Sequence, residues 1–279
     1  MQIRAHHIKW GAFLVTAGST IVGLYFLVAY IVLPMFWQHY EHQKGLAGLT
    51  MITSTSNGIP GDPINVGLVG SRENVLCAMN AAGWYPADPI TLRSSIEIVG
   101  SVLLDRPYLQ APVSHLYYDG RRQDLAFEKP VGTSADRRNH VRFWRVLERG
   151  QEGRAVWLGS ATFDRGVGIS HDDAQVTHHI APDIDAERDL LVADLKGAHV
   201  VQTIYEAAGI GPTVNGRNGG GDRYYTDGDI KISVLVGSCN QHAATVAVLD
   251  NPPLVAMKNL AWDTIAKTII SATMPATRK

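Results

Sequence analysis

From Trp10 to Trp37 the chain runs 28 residues without a charged side chain, and no later segment repeats that pattern. Its centre, Gly11–Val32, is rich in Leu, Ile, Val, Phe and Ala and shows no polar stripe. A helix needs roughly 20 apolar residues to cross a bilayer, because backbone groups must be satisfied internally in lipid. The run therefore predicts one membrane-spanning helix over residues 11–33, with Trp10 and Trp37 at interfacial positions and Pro34 near the far end. It is longer than the roughly 7–15-residue apolar region of a signal peptide, and no small-x-small site follows it.

Downstream, apolar positions recur in short periods instead. A polar connector over 34–57 leads to turn chemistry at Gly58–Pro63 and a short strand over Ile64–Val69. Ser71 is placed to cap a helix through Ala82, closed by Gly83. Ile96, Val99 and Leu103 predict another helix over Leu92–Leu103. Ser114–Tyr118 and Leu125–Lys129 read as strands joined around Asp119-Gly120. His140–Glu148 and Arg154–Thr162 read as a hairpin across Arg149–Gly153, and Thr177–Ile180 as another extended piece. Asp183 is expected to cap a helix running to about Gly197, with Asp185 and Glu187 favouring its positive end. Val200–Tyr205 reads as a strand and Asn215–Asp222 as a flexible glycine-rich loop. Arg223–Thr226 and Asp229–Val236 read as strands joined at Asp227-Gly228, and Ala261–Ile270 as a helix before a fraying tail.

Local hairpins mixed with a few helices predict an α+β fold: a single transmembrane helix, then a mixed, largely antiparallel sheet domain with several helices. The expected units are a tail over 1–10, the span over 11–33, the connector over 34–57, one domain over 58–250, and a C-terminal helix and tail over 251–279.

Charge sets the expected orientation. Arg4 and Lys9 precede the span unopposed, whereas beyond it Glu41 offsets Lys44 and the next base is Arg72. The positive-inside bias places the tail in the cytoplasm and the domain outside it, which in a bacterium means a single-pass inner-membrane protein facing the periplasm. A net charge of -1, with Lys and Arg not gathered into a sustained basic face, argues against a nucleic-acid partner. The basic run Arg137, Arg138, His140, Arg142, Arg145 reads either as the wet face of a strand or as a phosphate-reading surface. Cys77 and Cys239 are the only cysteines. An extracytoplasmic site permits a disulfide, but their apolar flanks favour two buried thiols. Cys77 has no motif-linked base that would make it a nucleophile.

Two segments carry candidate chemistry. His171-Asp172-Asp173 and the following Thr177–Arg188 concentrate imidazoles and carboxylates, groups able to bind a divalent metal or exchange protons. His178, Asp183 and Asp185 are the candidate metal ligands, and His178, Asp185 and Glu128 the candidate catalytic groups. Strand alternation sends His178 and His179 to opposite sides, and capping or ion pairing accounts for the carboxylates equally well. In Pro112–Lys129, Arg121 could grip a phosphate or carboxylate with two prongs, His115 and Asp124 could supply acid–base groups, and Lys129 a further positive charge. Arg121, Asp124, Arg142 and Arg188 form the candidate ligand-binding set; an internal ion-pair network is the alternative. The Gly216–Asp222 loop matches neither a Walker loop nor a dinucleotide fingerprint, and no nucleophile elbow or zincin helix is present.

Taken in order, Gly61-Asp-Pro-Ile-Asn65, Ala82-Gly-Trp84, Pro112-Val-Ser114, Gly120–Lys129, His140–Arg145, Trp157–Thr162, Thr177–Ile180, Pro182–Asp189 and Tyr225–Gly228 resemble the LssY carboxyl-terminal domain family. The resemblance covers roughly residues 60–236. Its relatives are largely uncharacterised bacterial domains, sometimes joined to membrane modules. This chain lacks a PAP2 phosphatase signature, so no phosphatase activity transfers. Three functions follow as expectations. The domain binds an envelope lipid, glycan or phosphate-bearing ligand; or it is a hydrolase, with a divalent metal as its conceivable cofactor; or it is a scaffold for a membrane-protein partner. In each, membrane lipid surrounds residues 11–33. The oligomeric state is left open.

Overall fold

The computed structural model describes residues 2–36, 40–87, 115–132, 137–169, 176–208 and 215–273. The expected helix over Leu92–Leu103, the Pro112-Val-Ser114 motif, His171-Asp172-Asp173, Trp37 and the tail after Thr273 lie outside them.

Helix α1 (Gln2–Leu27) passes through a π-helical turn (Val28–Val32) into α2 (Leu33–Phe36). Within it Phe13–Met35 is long and apolar enough to cross a membrane, and none of its residues is buried. Thr20 returns its hydroxyl to Thr16 O at 2.9 Å, so its polarity is satisfied inside the helix.

Strands β1 (Tyr40–Glu41), β2 (Ile52–Ser54), β3 (Pro60–Pro63) and β4 (Val66–Val69) follow, then α3 (Arg72–Ala81) and β5 (Tyr85–Pro86). Next come β6 (Tyr117–Tyr118), β7 (Arg121–Arg122), β8 (Leu125–Pro130), β9 (Arg138–Leu147) and β10 (Val156–Ile169). β11 (Val176–Ile180) leads into α4 (Ile184–Gly197) and β12 (Val201–Ala208). The chain continues through β13 (Gly216–Arg217), β14 (Arg223–Tyr224), β15 (Ile230–Leu235), β16 (Ala247–Val248) and α5 (Pro253–Thr273).

One open sheet has the order β1-β12-β15-β4-β10-β9-β8-β5, with β11 also on β10 and β16 on β12. The β15/β4 and β12/β16 pairs are parallel and the other pairs of this sheet antiparallel. This is the expected α+β architecture. The sheet carries apolar cores on both faces. One gathers Val66, Trp84, Phe143, Trp157, Leu191 and Leu195; the other gathers Ile64, Tyr118, Trp144, Leu158, Tyr205 and Ile232. The second core includes Met51 and Leu116, residues of or beside the four-stranded sheet β3-β2-β6-β7.

Local signals hold at several ends. Ser71 and Asn74 form a reciprocal capping box on α3, and Asp183 caps α4 by accepting from Ala186 N at 3.0 Å. Asp119 and Gly120 both adopt positive φ, 49° and 70°, as a two-residue hairpin requires. That hairpin, however, joins β6 to β7, while Leu125–Pro130 pairs with β9 instead. The Asp227-Gly228 hairpin is likewise corrected, because β14 pairs with β13 and β15 with β12 and β4. The loop over 215–222 is anchored rather than free: Asn218 donates to Asp62 at 3.0 Å, and Asp222 accepts from Ile180 N at 3.0 Å. Cys77 and Cys239 form a disulfide with α-carbons 5.4 Å apart, which replaces the expected pair of thiols. Their apolar flanks report burial of the surroundings, and burial is common to both states.

Candidate functional site

Alternation along the central hairpin builds the site. Register pairs Asp164 with Arg138, Thr162 with His140 and Ser160 with Arg142, and β8 adds Glu128 opposite His140. Side chains two apart share a face, so these seven polar groups project together. All are essentially buried, as is Asp62 from β3. The alternating part of the basic run is thus neither a wet strand face nor an exposed phosphate reader: Arg138, His140 and Arg142 are 2–3% exposed, while Arg137 and Arg145 at its ends are open to solvent. Charges at such depth are tolerated only when paired.

They are paired. Arg138 donates from Nη1 to Glu128 Oε2 at 2.8 Å and from Nε to Asp164 Oδ2 at 3.1 Å. Arg142 lies 3.6 Å from Asp62 Oδ2 and donates to His140 Nε2 at 2.8 Å. A guanidinium only donates, so His140 Nε2 carries no proton and the ring is neutral. Burial, the largest influence on it, also pushes the His140 imidazole below its ordinary pKa. The Thr162 hydroxyl joins the same nitrogen at 2.7 Å, and Nδ1 faces Asp164 Oδ1 at 3.0 Å.

Asp164 is therefore the hub. Burial alone would raise its carboxyl; His140, His178 and Arg138 outweigh that and hold it well below the usual carboxylate range. His178 reaches the hub from β11, which lies beside the second half of β10 while β4 lies beside the first half. Its Nδ1 is 3.4 Å from Asp164 Oδ2, an electrostatic approach longer than a good hydrogen bond. Among the described groups around Asp164 it alone reaches the surface, with 21% of its side chain exposed. Burial depresses its pKa to about 4 despite the facing carboxylate, so it too is neutral near pH 7. The neighbouring Asp164 favours the proton on Nδ1, which leaves Nε2 as an acceptor. Glu187, on α4, is pushed up to about 8 by burial and by the charges of Asp164 and Asp194. It is a neutral acid at pH 7.

His179 turns the other way, as alternation requires, and contacts Asp222 at 3.0 Å. Its ring lies over Gly168, where any β-carbon would fall 2.2 Å from Nε2.

A second network lies at the start of α4. Arg188 donates to both Asp227 carboxylate oxygens, at 2.8 and 3.0 Å, and to Asp229 O at 2.9 Å. Asp185 accepts from Thr226 Oγ1 and Asp227 N, both at 2.7 Å. Burial, partly offset by Arg188, pushes the Asp185 carboxyl up to about 6. Lys258 of α5 closes the cluster on Asp229.

The sequence candidates thus separate. Glu128, Arg142 and His178 belong to the Asp164 network, whereas Asp185 and Arg188 hold the 226–229 turn. Asp183 caps α4. Arg121 and Asp124 are partly exposed, 3.9 Å apart, with Arg121 donating to Arg145 O and Asp124 accepting from Arg145 N. His115 faces Gln123 at 3.3 Å, and Lys129 donates to Asp194 at 2.7 Å. Among the described residues no group of three or more His, Cys, Asp or Glu side chains is arranged to hold a metal ion. Thr162 and Asp164 were not among the candidates, Arg138 and His140 entered only through the basic run, and Glu187 only as a charge at the start of a helix. Their signal was the hairpin register itself, which stacks Arg138, His140 and Arg142 against Asp164, Thr162 and Ser160.

A family model described as the LssY C-terminus matches residues 44–230. No curated protein and no solved structure gives a match.

Proposed function

The chain belongs to the LssY C-terminus family, and on that premise we propose that it is a membrane-anchored domain working outside the cytoplasm, where His178 binds the hydroxyl-rich headgroup of an envelope molecule. The apolar helix supports the anchor, and the Cys77–Cys239 disulfide supports an oxidising compartment such as the periplasm. Anchoring confines the domain to the surface where lipid-linked molecules are presented, which raises their effective concentration.

The observation that carries the ligand class is the neutral His178 ring, backed by Asp164 and partly open to solvent. In the network behind it, Asp62, Glu128 and Asp164 stand against Arg138 and Arg142 among the described residues. Three carboxylates against two guanidiniums give an anion little attraction. An accepting imidazole nitrogen suits a hydroxyl donor, and a glycan supplies hydroxyls in number. Native mass spectrometry of the full-length protein in detergent tests this, with a glycolipid, phosphatidic acid and phosphatidylcholine offered separately. Selective retention of the glycolipid, lost in His178→Gln, supports the reading. Preference for phosphatidic acid, or no discrimination, counts against it.

The same Asp164–His178 pair favours a second reading, in which His178 acts as general base on water or a substrate hydroxyl. Turnover of the bound glycolipid by the wild type and not by His178→Gln distinguishes catalysis from binding alone.

A further inference from the structure

The C-terminal helix α5 lies beyond the family match and has two unlike faces. Val255, Lys258, Trp262 and Ala266 are buried against the domain. Lys258 donates to Asp227 O at 3.0 Å and pairs with Asp229, while Trp262 and Ala266 pack on Tyr225. These contacts fix the rotation of the helix. The opposite face would be expected to be charged, as on an ordinary surface helix.

It is not. At 3.6 residues per turn, Met257, Leu260, Ala261, Thr264, Ile265 and Thr268 share one stripe about 140° wide, and all six are exposed. No charged residue falls within it; Lys258, which is buried, and Lys267 flank it about 20° beyond its two edges, and Asp263 lies further round. Met257 is 54%, Leu260 70% and Ile265 48% exposed. Thr264 donates its hydroxyl to Leu260 O at 2.8 Å, the same back-bond that Thr20 makes in the apolar N-terminal helix. Hence Thr264, one of the two threonines of the stripe, has its donor satisfied internally.

The position of this helix identifies what covers the stripe. The last turn of the span, α2, packs against α5. Where a chain leaves the bilayer, an uncharged face beside it meets headgroups and acyl chains. A helix with such a face, one turned to lipid and one docked on protein, has the character of an interfacial element lying along the membrane.

We infer that α5 is a second membrane contact: the Met257–Leu260–Ile265 face seats in the bilayer interface next to the anchor and fixes the domain against the lipid surface. The domain then does not swing freely on its connector. Its site is held at a set height above the membrane, as recognition of a lipid-linked headgroup requires. The inference rests on the membrane-spanning reading of the N-terminal helix and is independent of the ligand assigned to His178.

The test uses the full-length protein in phosphatidylcholine nanodiscs, with a bimane label on a single added cysteine and quenching by nitroxide-bearing lipids. Labels at Leu260→Cys and Ile265→Cys should be quenched about as strongly as one at Tyr25→Cys in the span. A label at Leu190→Cys, exposed on α4, should be unaffected. Quenching at Tyr25 with none at Leu260 and Ile265 overturns the inference and leaves the anchor intact. Absence of quenching at all three sites removes the anchor itself. Shielding at Leu260 that depends on protein concentration, without lipid quenching, means that a second copy covers the stripe, and also overturns it. Because the substituted positions are exposed, folding is not at risk, and Leu260→Ala/Ile265→Ala carrying the Tyr25 label provides a background that should keep its span quenching unchanged.

Discussion

Arg138 Nη1 and Glu128 Oε2 lie 2.8 Å apart, with side chains 2% and 0% exposed, so this ion pair beneath the site is out of contact with water. The same guanidinium holds Asp164. Removing one partner of a buried pair is costly because the survivor keeps its charge without compensation. Arg138→Met should therefore destabilise the protein by about 3–5 kcal/mol, read as a shift in the urea midpoint. Glu128→Gln/Arg138→Met should recover part of the loss, since the double change removes both ends of the pair.

Two groups predict opposite slopes of stability with pH. Glu187 titrates at about 8 in the folded protein against an ordinary 4.5, so its contribution is full below 4.5 and is lost as pH rises toward 8. Asp229, pushed up to about 7 by burial and Asp227, acts in the same sense. His178 is depressed from 6.5 to about 4, so its contribution is present above 6.5 and is lost as pH falls toward 4. Glu187→Gln should flatten the alkaline side of the profile and His178→Gln the acid side. Urea midpoints measured across both windows check this; unchanged slopes in both variants would contradict the burial of these groups.

The disulfide joins residues 162 apart in sequence and ties α3 to the segment after β15. Cross-linking so long a loop restricts the unfolded chain strongly, typically stabilising by about 2–4 kcal/mol. Cys77→Ala/Cys239→Ala should lower the melting temperature by several degrees. A reductant should reproduce the loss in the wild type and have no effect on the variant.

The elements set by local chemistry were legible in the sequence. Uncharged length marked α1, Ser71 and Asp183 marked two helix starts, and Arg149–Gly153 marked the β9–β10 connection. What failed was pairing over distance. Asp119-Gly120 has the dihedral signature of a tight hairpin, but which strands it joins depends on β8 having a better partner in β9. Asp227-Gly228 looks like a turn between neighbouring strands, yet its job is to present Asp227 to Arg188. The candidate site was half legible. His178 and Glu128, named from the sequence, both fall in the Asp164 network, while Asp185 was grouped with them because it is close to His178 in sequence. α4 carries Asp185 to the 226–229 turn, and Asp164, the residue His178 does meet, carries no motif of its own. Alternation in β9 was visible, but the charges on that face suggested water, because burial of two arginines is costly until Asp164, Glu128 and Asp62 are brought to them.

The proposed binding group of the anchored domain is His178, held neutral beside Asp164. Nitrogen-15 spectra of the imidazoles in full-length protein in detergent, recorded at pH 7 with and without the glycolipid, read both its protonation and its contact with the ligand. The expected spectrum is that of a neutral His178 ring with its proton on Nδ1, with a change at Nε2 alone when the glycolipid binds. A protonated ring, or an Nε2 resonance unmoved at saturating glycolipid, would contradict it.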